Sequence, residues 1–184
     1  MPGRLPGRRG RLDHRAPVEY DVLADHLERL KPKLFGFVAA SNTLGTEFPV
    51  KRWTQMGHAA GATVLVDAAQ AAPHAVVDVA DWGVDFLVFS GHKVCGPTGI
   101  GVLYGRESLL EAMPPFLGGG GMINRVTTTG FEPAGLPEKF EAGTPPIAQA
   151  IGLAAASALT RSAGPMVIVT TPGRKPGPTA SLSM

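Results

Sequence analysis

The sequence predicts an α/β fold: a mostly parallel sheet with helices on both faces. Two observations carry that reading. Short apolar runs at residues 34–40, 62–66, 84–89 and 100–104 are separated by helical spacing or turn chemistry. The first three of these runs each end in polar residues, at Ser41-Asn42-Thr43, at Asp67 and at Ser90. In open α/β sheets, ligands gather beyond the carboxyl ends of the strands, so these ends are where chemistry is expected.

Residues 1–17 hold Arg4, Arg8, Arg9, Arg11 and Arg15 among Gly and Pro, the composition of a solvated basic tail. Residues 18–31 place Val22, Leu23, His26, Leu27 and Leu30 at helical spacing, and Pro32 breaks that helix. Residues 34–40, LFGFVAA, read as a buried strand leading into a functional loop. Pro49 starts the next helix, with Trp53, Met56 and Ala60 on one face and Gly61 as its stop. The strands at 62–66 and 84–89 follow. The run at 100–104 comes after a turn too short for a parallel crossover, so that pair is expected to be antiparallel. Residues 107–113 read as a short helix, residues 114–146 as a long irregular segment, and the Ala-rich residues 147–160 as a helix. From 161 to 184, Pro165, Pro172, Pro176 and Pro178 among basic and small residues predict a disordered tail. The folded domain is therefore expected over residues 18–160.

Composition narrows the function classes. With 184 residues, 44% of them hydrophobic and 17% charged, the chain can bury a core. A net charge of +2 gives no argument for nucleic acid, and no apolar stretch is long enough for a membrane span. The lone Cys95 makes neither an intramolecular disulfide nor a cysteine-cluster metal site. His58, His74 and His92 lack metal-motif spacing, so no metal is expected. These features suit a cytoplasmic protein without membrane or nucleic-acid partners.

The strand ends hold the residue types that a pyridoxal cofactor needs. It takes a lysine amine for a covalent link and a carboxylate against the pyridine nitrogen to keep the ring an electron sink. It also takes hydroxyl and imidazole donors for its phosphate. Asn42 follows the first strand, Asp67 and Gln70 the second, and Ser90, His92 and Lys93 the third. A lysine directly after a buried strand must be desolvated or paired, which favours its use as a nucleophile. Asp67 taken alone reads more readily as a cap for a helix beginning at Ala68. Gly96-Pro97-Thr98-Gly99-Ile100-Gly101 lacks the ending of a nucleotide loop and reads as a tight turn.

The segments SNTLGTEFPV, LVDAAQAAPH, DFLVFSGHKVCGPTGIGVLYG and KFEAGTPP, in this order, resemble the class V aminotransferase-like enzymes. Within them they are most similar to Suf-type cysteine desulfurases and selenocysteine lyases. The resemblance implies the large cofactor-binding domain of fold-type I aminotransferases and pyridoxal 5'-phosphate as cofactor. It implies Lys93 as the Schiff-base lysine, Asp67 against the ring nitrogen, and Gln70 near the phenolic oxygen. Ser90 and His92 match phosphate ligands and Asn42 a residue beside the ring. Thr144 matches a residue that reaches the phosphate of the neighbouring subunit, which implies a homodimer. Cys95 is not at the position of the family's catalytic cysteine. The implied reaction converts L-cysteine or L-selenocysteine to L-alanine and hands sulfur to an acceptor protein for iron-sulfur cluster assembly.

The resemblance covers residues 18–160. The sequence offers no counterpart of the family's upstream phosphate-binding turn and stacking histidine, nor of its downstream cysteine and substrate-binding arginine. A partial chain with impaired activity alone is the expectation. Another class V activity, aminotransferase or epimerase, and a non-catalytic remnant are the alternatives.

Overall fold

The computed structural model describes residues 20–163. The expected tails, 1–17 and the part of 161–184 after Ala163, lie outside the described residues. A sheet of four strands in the order β1-β2-β3-β4 forms the centre: β1 Leu34–Val38, β2 Thr63–Asp67, β3 Phe86–Ser90 and β4 Gly101–Gly105. β1, β2 and β3 run parallel and β4 pairs antiparallel with β3, as the short turn before it required. Each strand lies within one or two residues of its expected place. The second and third end on the polar residues themselves, Asp67 and Ser90.

Helix α1 spans Tyr20–Leu30 and α2 spans Val50–Ala59, with Pro49 before it and Gly61 beyond it at φ 80°. The left-handed conformation at Gly61 is one that a side chain would resist. α2 lies on the sheet closely. A Cβ on Gly57 would come within 2.8 Å of Val64 and 2.9 Å of Phe35. Between β2 and β3 runs a series of turns and then α3, Val79–Trp82. Asp78 accepts from the Ala80 and Asp81 amides (3.0 and 2.9 Å) and Gly83 closes it in the left-handed region.

The core has a topological origin. Right-handed crossovers that step 1-2-3 across a sheet in one direction all fall on the same face. α2 and α3 both do so, over Val64, Val66, Leu87 and Phe89, with Val50, Val77, Val79 and Val84 in the same cluster. The strands alternate accordingly, every second residue of β2 and β3 being buried. On the opposite face, α4 (Glu107–Ala112) sets Leu110 beside Gly105, while Leu34, Val38 and Leu103 remain exposed.

The segment expected to be irregular contains a hairpin, β5 Ile123–Thr127 with β6 Gly130–Pro133, antiparallel and with a register shift near Ile123 and Arg125. Its residues are mostly exposed, so no buried alternation marked it in the sequence. α5 spans Ile147–Ala163, three residues past the expected end.

Candidate functional site

The carboxyl ends of the three parallel strands lie side by side. Val38 is in register with Asp67, and Asp67 with Val88. The Asp67 carbonyl accepts from the Ala39 amide (2.8 Å), and the Val88 carbonyl from the Ala68 amide (2.8 Å). Residues in register across a parallel pair share a sheet face, and so do residues two apart on a strand. Asp67 and Ser90 therefore leave the sheet on the same face, the one opposite the α2–α3 core. Both are half-buried.

Asp67 Oδ1 accepts the Ala69 amide (2.8 Å). The capping geometry read from the sequence is thus present, but turns rather than a helix follow it. A carboxylate has about four lone-pair positions. One bond to Ala69 fixes its direction and leaves capacity for a further donor.

Beyond Ser90 the chain makes a single 3-10 turn, Gly91–Val94, and the Ser90 hydroxyl makes no capping bond to it. His92 is exposed and Lys93 half-buried, while Val94 is fully buried. Lys93 is less desolvated than a position after a buried strand suggested, because the 3-10 turn carries it out of the core, and the ion pairs among the described residues do not include it. Cys95 ends the turn in the left-handed region, at φ 62°. The Gly96 amide donates to the Gly91 carbonyl and the Gly91 amide to the Ile100 carbonyl, both at 2.9 Å. The segment from Gly96 to Gly101 is thus a tight turn, as its order in the sequence indicated. A Cβ on Gly91 would meet the Ile100 carbonyl oxygen at 2.9 Å, so this position tolerates only glycine without movement.

Asn42 and Gln70 are brought together elsewhere on the same edge. They line a depression of about 360 Å³ across the ends of β1 and β2, together with Glu47, His74 and Trp82. Asp67, Ser90, His92 and Lys93 do not line it. Thr144 is exposed in the segment before α5, and the amide of the adjacent Gly143 donates to the Gly120 carbonyl (2.7 Å).

The class-V aminotransferase profile matches residues 10–171. This chain belongs to the class-V aminotransferase family. Members of the family use pyridoxal phosphate. A probable cysteine desulfurase of Streptomyces coelicolor is 54% identical over 134 residues, covering 73% of this class-V chain and 32% of the relative. One from Synechocystis is 58% identical over 126 residues, covering 68% and 30%. Among solved structures, the S-sulfonic acid form of the Escherichia coli cysteine desulfurase CsdA superposes with a TM-score of 0.71 at 45% identity, covering 75% of this chain and 35% of that one. The class-V chain thus spans about a third of the length of each of these three relatives. The expected fold type is the one these relatives share.

Sequence reasoning missed two groups of polar residues in this class-V chain. Glu47 and His74 join Asn42 and Gln70 only through the folding of two loops, and nothing in their spacing signals it. The other group is at the far end of the sheet. Asp85, 6% exposed, accepts from the Val64 amide (2.7 Å) and His58 Nε2 (2.8 Å) and lies 3.1 Å from Arg106 Nε. An acidic residue opening an otherwise apolar strand was the available signal.

Proposed function

We propose that this chain is the cofactor-binding part of a cysteine desulfurase that holds pyridoxal phosphate through Lys93 and acts on L-cysteine, or its selenium analogue, to release L-alanine. One observation supports this above the others. Asp67 and Ser90 stand half-buried on the same sheet face at neighbouring strand ends, and the turn that carries Lys93 begins directly after Ser90. The donor set also suits the group. Asp67 keeps lone-pair capacity beyond its bond to Ala69, and the Ser90 hydroxyl makes no capping bond, so each is open to a ring N–H or a phosphate oxygen. The names of the relatives agree with the reading.

Pyridoxal phosphate, when bound, supplies the sink for negative charge developing at the substrate α-carbon. Lys93 would hold it covalently through its amine, and the same amine, when free, would take and return the α-proton. Asp67 keeps the proton on the ring nitrogen, its direction fixed by Ala69. Ser90 and His92 would donate to the phosphate, Gln70 would bond the phenolic oxygen, and Asn42 would stand beside the ring and substrate. In a homodimer Thr144 serves the neighbouring subunit's phosphate site. Sulfur goes to a thiol other than Cys95 and then to an acceptor protein, in a cytoplasmic setting.

The test is the visible spectrum of the purified chain after pyridoxal phosphate is added and the free cofactor removed. A persistent band that Lys93→Ala abolishes is expected. A band surviving that substitution would sink the assignment of Lys93. No band in the unsubstituted chain would sink cofactor binding by this chain on its own. Alanine release from L-cysteine then decides between desulfuration and another class-V reaction.

A further inference from the structure

We propose that α5 is a strut that sets the position of Lys93, with Gly152 and Leu153 as its positioning residues. The role toward the cofactor rests on the assignment of Lys93 above. The strut itself stands on packing.

Glycine is unfavourable inside a helix, yet Gly152 sits within α5. The contact it makes explains it. A Cβ there would lie 3.1 and 3.2 Å from Cγ and Cδ of Pro97, on the segment that follows the Lys93 turn. The next residue presses on the same segment. Leu153 Cδ1 is 2.9 Å from where a Cβ on Gly96 would be, and Leu153 belongs to the same buried cluster as Val94. α5 therefore touches the turn through two interlocking contacts, a helix glycine against a turn proline and a helix leucine against a turn glycine.

The turn has no slack with which to absorb a push. Its amide links Gly96 to Gly91 and Gly91 to Ile100 close it on itself, and Gly91 has no room on the Ile100 side. Lys93 lies inside this closed ring, next to the fully buried Val94. A displacement at Gly96 or Pro97 must move the backbone that carries Lys93. Among the described side chains of α5 only Leu153 and Ala156 are buried, while Ile147, Ile151 and Leu159 are 55, 64 and 71% exposed. Leu153, one of the two, is buried against the segment that follows the Lys93 turn.

The experiment compares Gly152→Leu, Leu153→Ala and the conservative Leu153→Met with the unsubstituted full chain, by two readouts. The first, free of cofactor, is hydrogen exchange at the Gly96 amide, which reports the ring. The second is attachment of pyridoxal phosphate to Lys93, fixed with borohydride and measured by peptide mass spectrometry. Gly152→Leu and Leu153→Ala are each expected to speed Gly96 exchange at least tenfold relative to the amides of β2, and to cut Lys93 attachment at least tenfold. Leu153→Met is expected to restore both. Gly96 exchange unchanged in Leu153→Ala would overturn the strut, whether or not Gly152→Leu folds. Faster exchange with Lys93 attachment intact would overturn the positioning role. Attachment in the unsubstituted chain no greater at Lys93 than at other lysines would overturn the cofactor reading instead, and the exchange data would still decide the strut.

Discussion

Replacing Asp85 tests how the sheet is held at the end remote from the strand-end site. Its carboxylate joins three elements: the Val64 amide at the start of β2, His58 near the end of α2, and Arg106 just after β4. Val64 is fully buried, so Asp85→Ala leaves an amide hydrogen without a partner and without water. That costs about 1–3 kcal/mol. His58 and Arg106 are 36 and 45% exposed on their side chains, so solvent takes over much of their loss, and about 1 kcal/mol together is a fair allowance. The expected destabilisation is about 2–4 kcal/mol. At a urea slope of about 2 kcal/mol/M this moves the unfolding midpoint down by about 1–2 M. Tryptophan fluorescence reads it, because Trp53 and Trp82 both sit in the helical layer on the sheet. The internal control is Asp81→Ala, which removes the 2.6 Å pair with Lys51, a pair more than half exposed on both sides. That loss is about 0–1 kcal/mol. A midpoint shift for Asp85→Ala no larger than for Asp81→Ala would refute the reasoning. So would an Asp85→Asn variant as damaged as the alanine one, since asparagine keeps an acceptor for Val64.

Other substitutions probe separate links in the structure. Leu87→Ala, at 1% exposure in the centre of β3, is expected to cost about 2–5 kcal/mol in urea unfolding. Gly57→Ala drives a methyl into Val64 and Phe35, and should lower stability by about 1–3 kcal/mol despite the better helix propensity of alanine. A stabilised Gly57→Ala protein would show that α2 is free to lift. Lys139, 9% exposed, donates to the Leu110 and Glu111 carbonyls at the end of α4 (3.1 and 2.9 Å). Lys139→Met should therefore release α4, seen as faster amide exchange at Met113, and Lys139→Arg should recover part of the protection. Asp67→Ala should weaken retention of pyridoxal phosphate during gel filtration, and equal retention would remove Asp67 from the ring nitrogen.

The strands of the sheet were legible because burial on one face forced an apolar content that polar residues could end visibly. Asp67 and Ser90 close their strands for that reason, and the short link from Val94 to Ile100 dictated the antiparallel pairing of β4. α3 escaped notice because four residues show no period, although Asp78 and Gly83 are the start and stop signals of a helix. The β5–β6 hairpin escaped because Asn124, Arg125, Val126 and Thr127 all face solvent, so nothing in their pattern separates a strand from a loop. The proposed site was half legible. A strand end can be read from one segment, but the meeting of Asn42, Gln70, Glu47 and His74 depends on how two loops fold over each other. Lys93 could be located, whereas its half-exposed setting depended on a 3-10 turn that no local pattern announced.

The strand order gives a physical reason for the face on which the proposed chemistry sits. Because β1, β2 and β3 follow one another without reversal, α2 and α3 are confined to one side. A side chain at a strand end on that side meets a helix, and Phe89 is buried there accordingly. Asp67 and Ser90, each one residue out of phase with that core, emerge on the face that α2 and α3 leave uncovered. A flat ring needs such a place, with carboxylate and hydroxyl reaching it from a rigid sheet. The lysine needs a different support, because it must both bond the ring and release it. It is carried on a turn held against α5 rather than on the sheet, so its position depends on packing that can be altered without unfolding the strands.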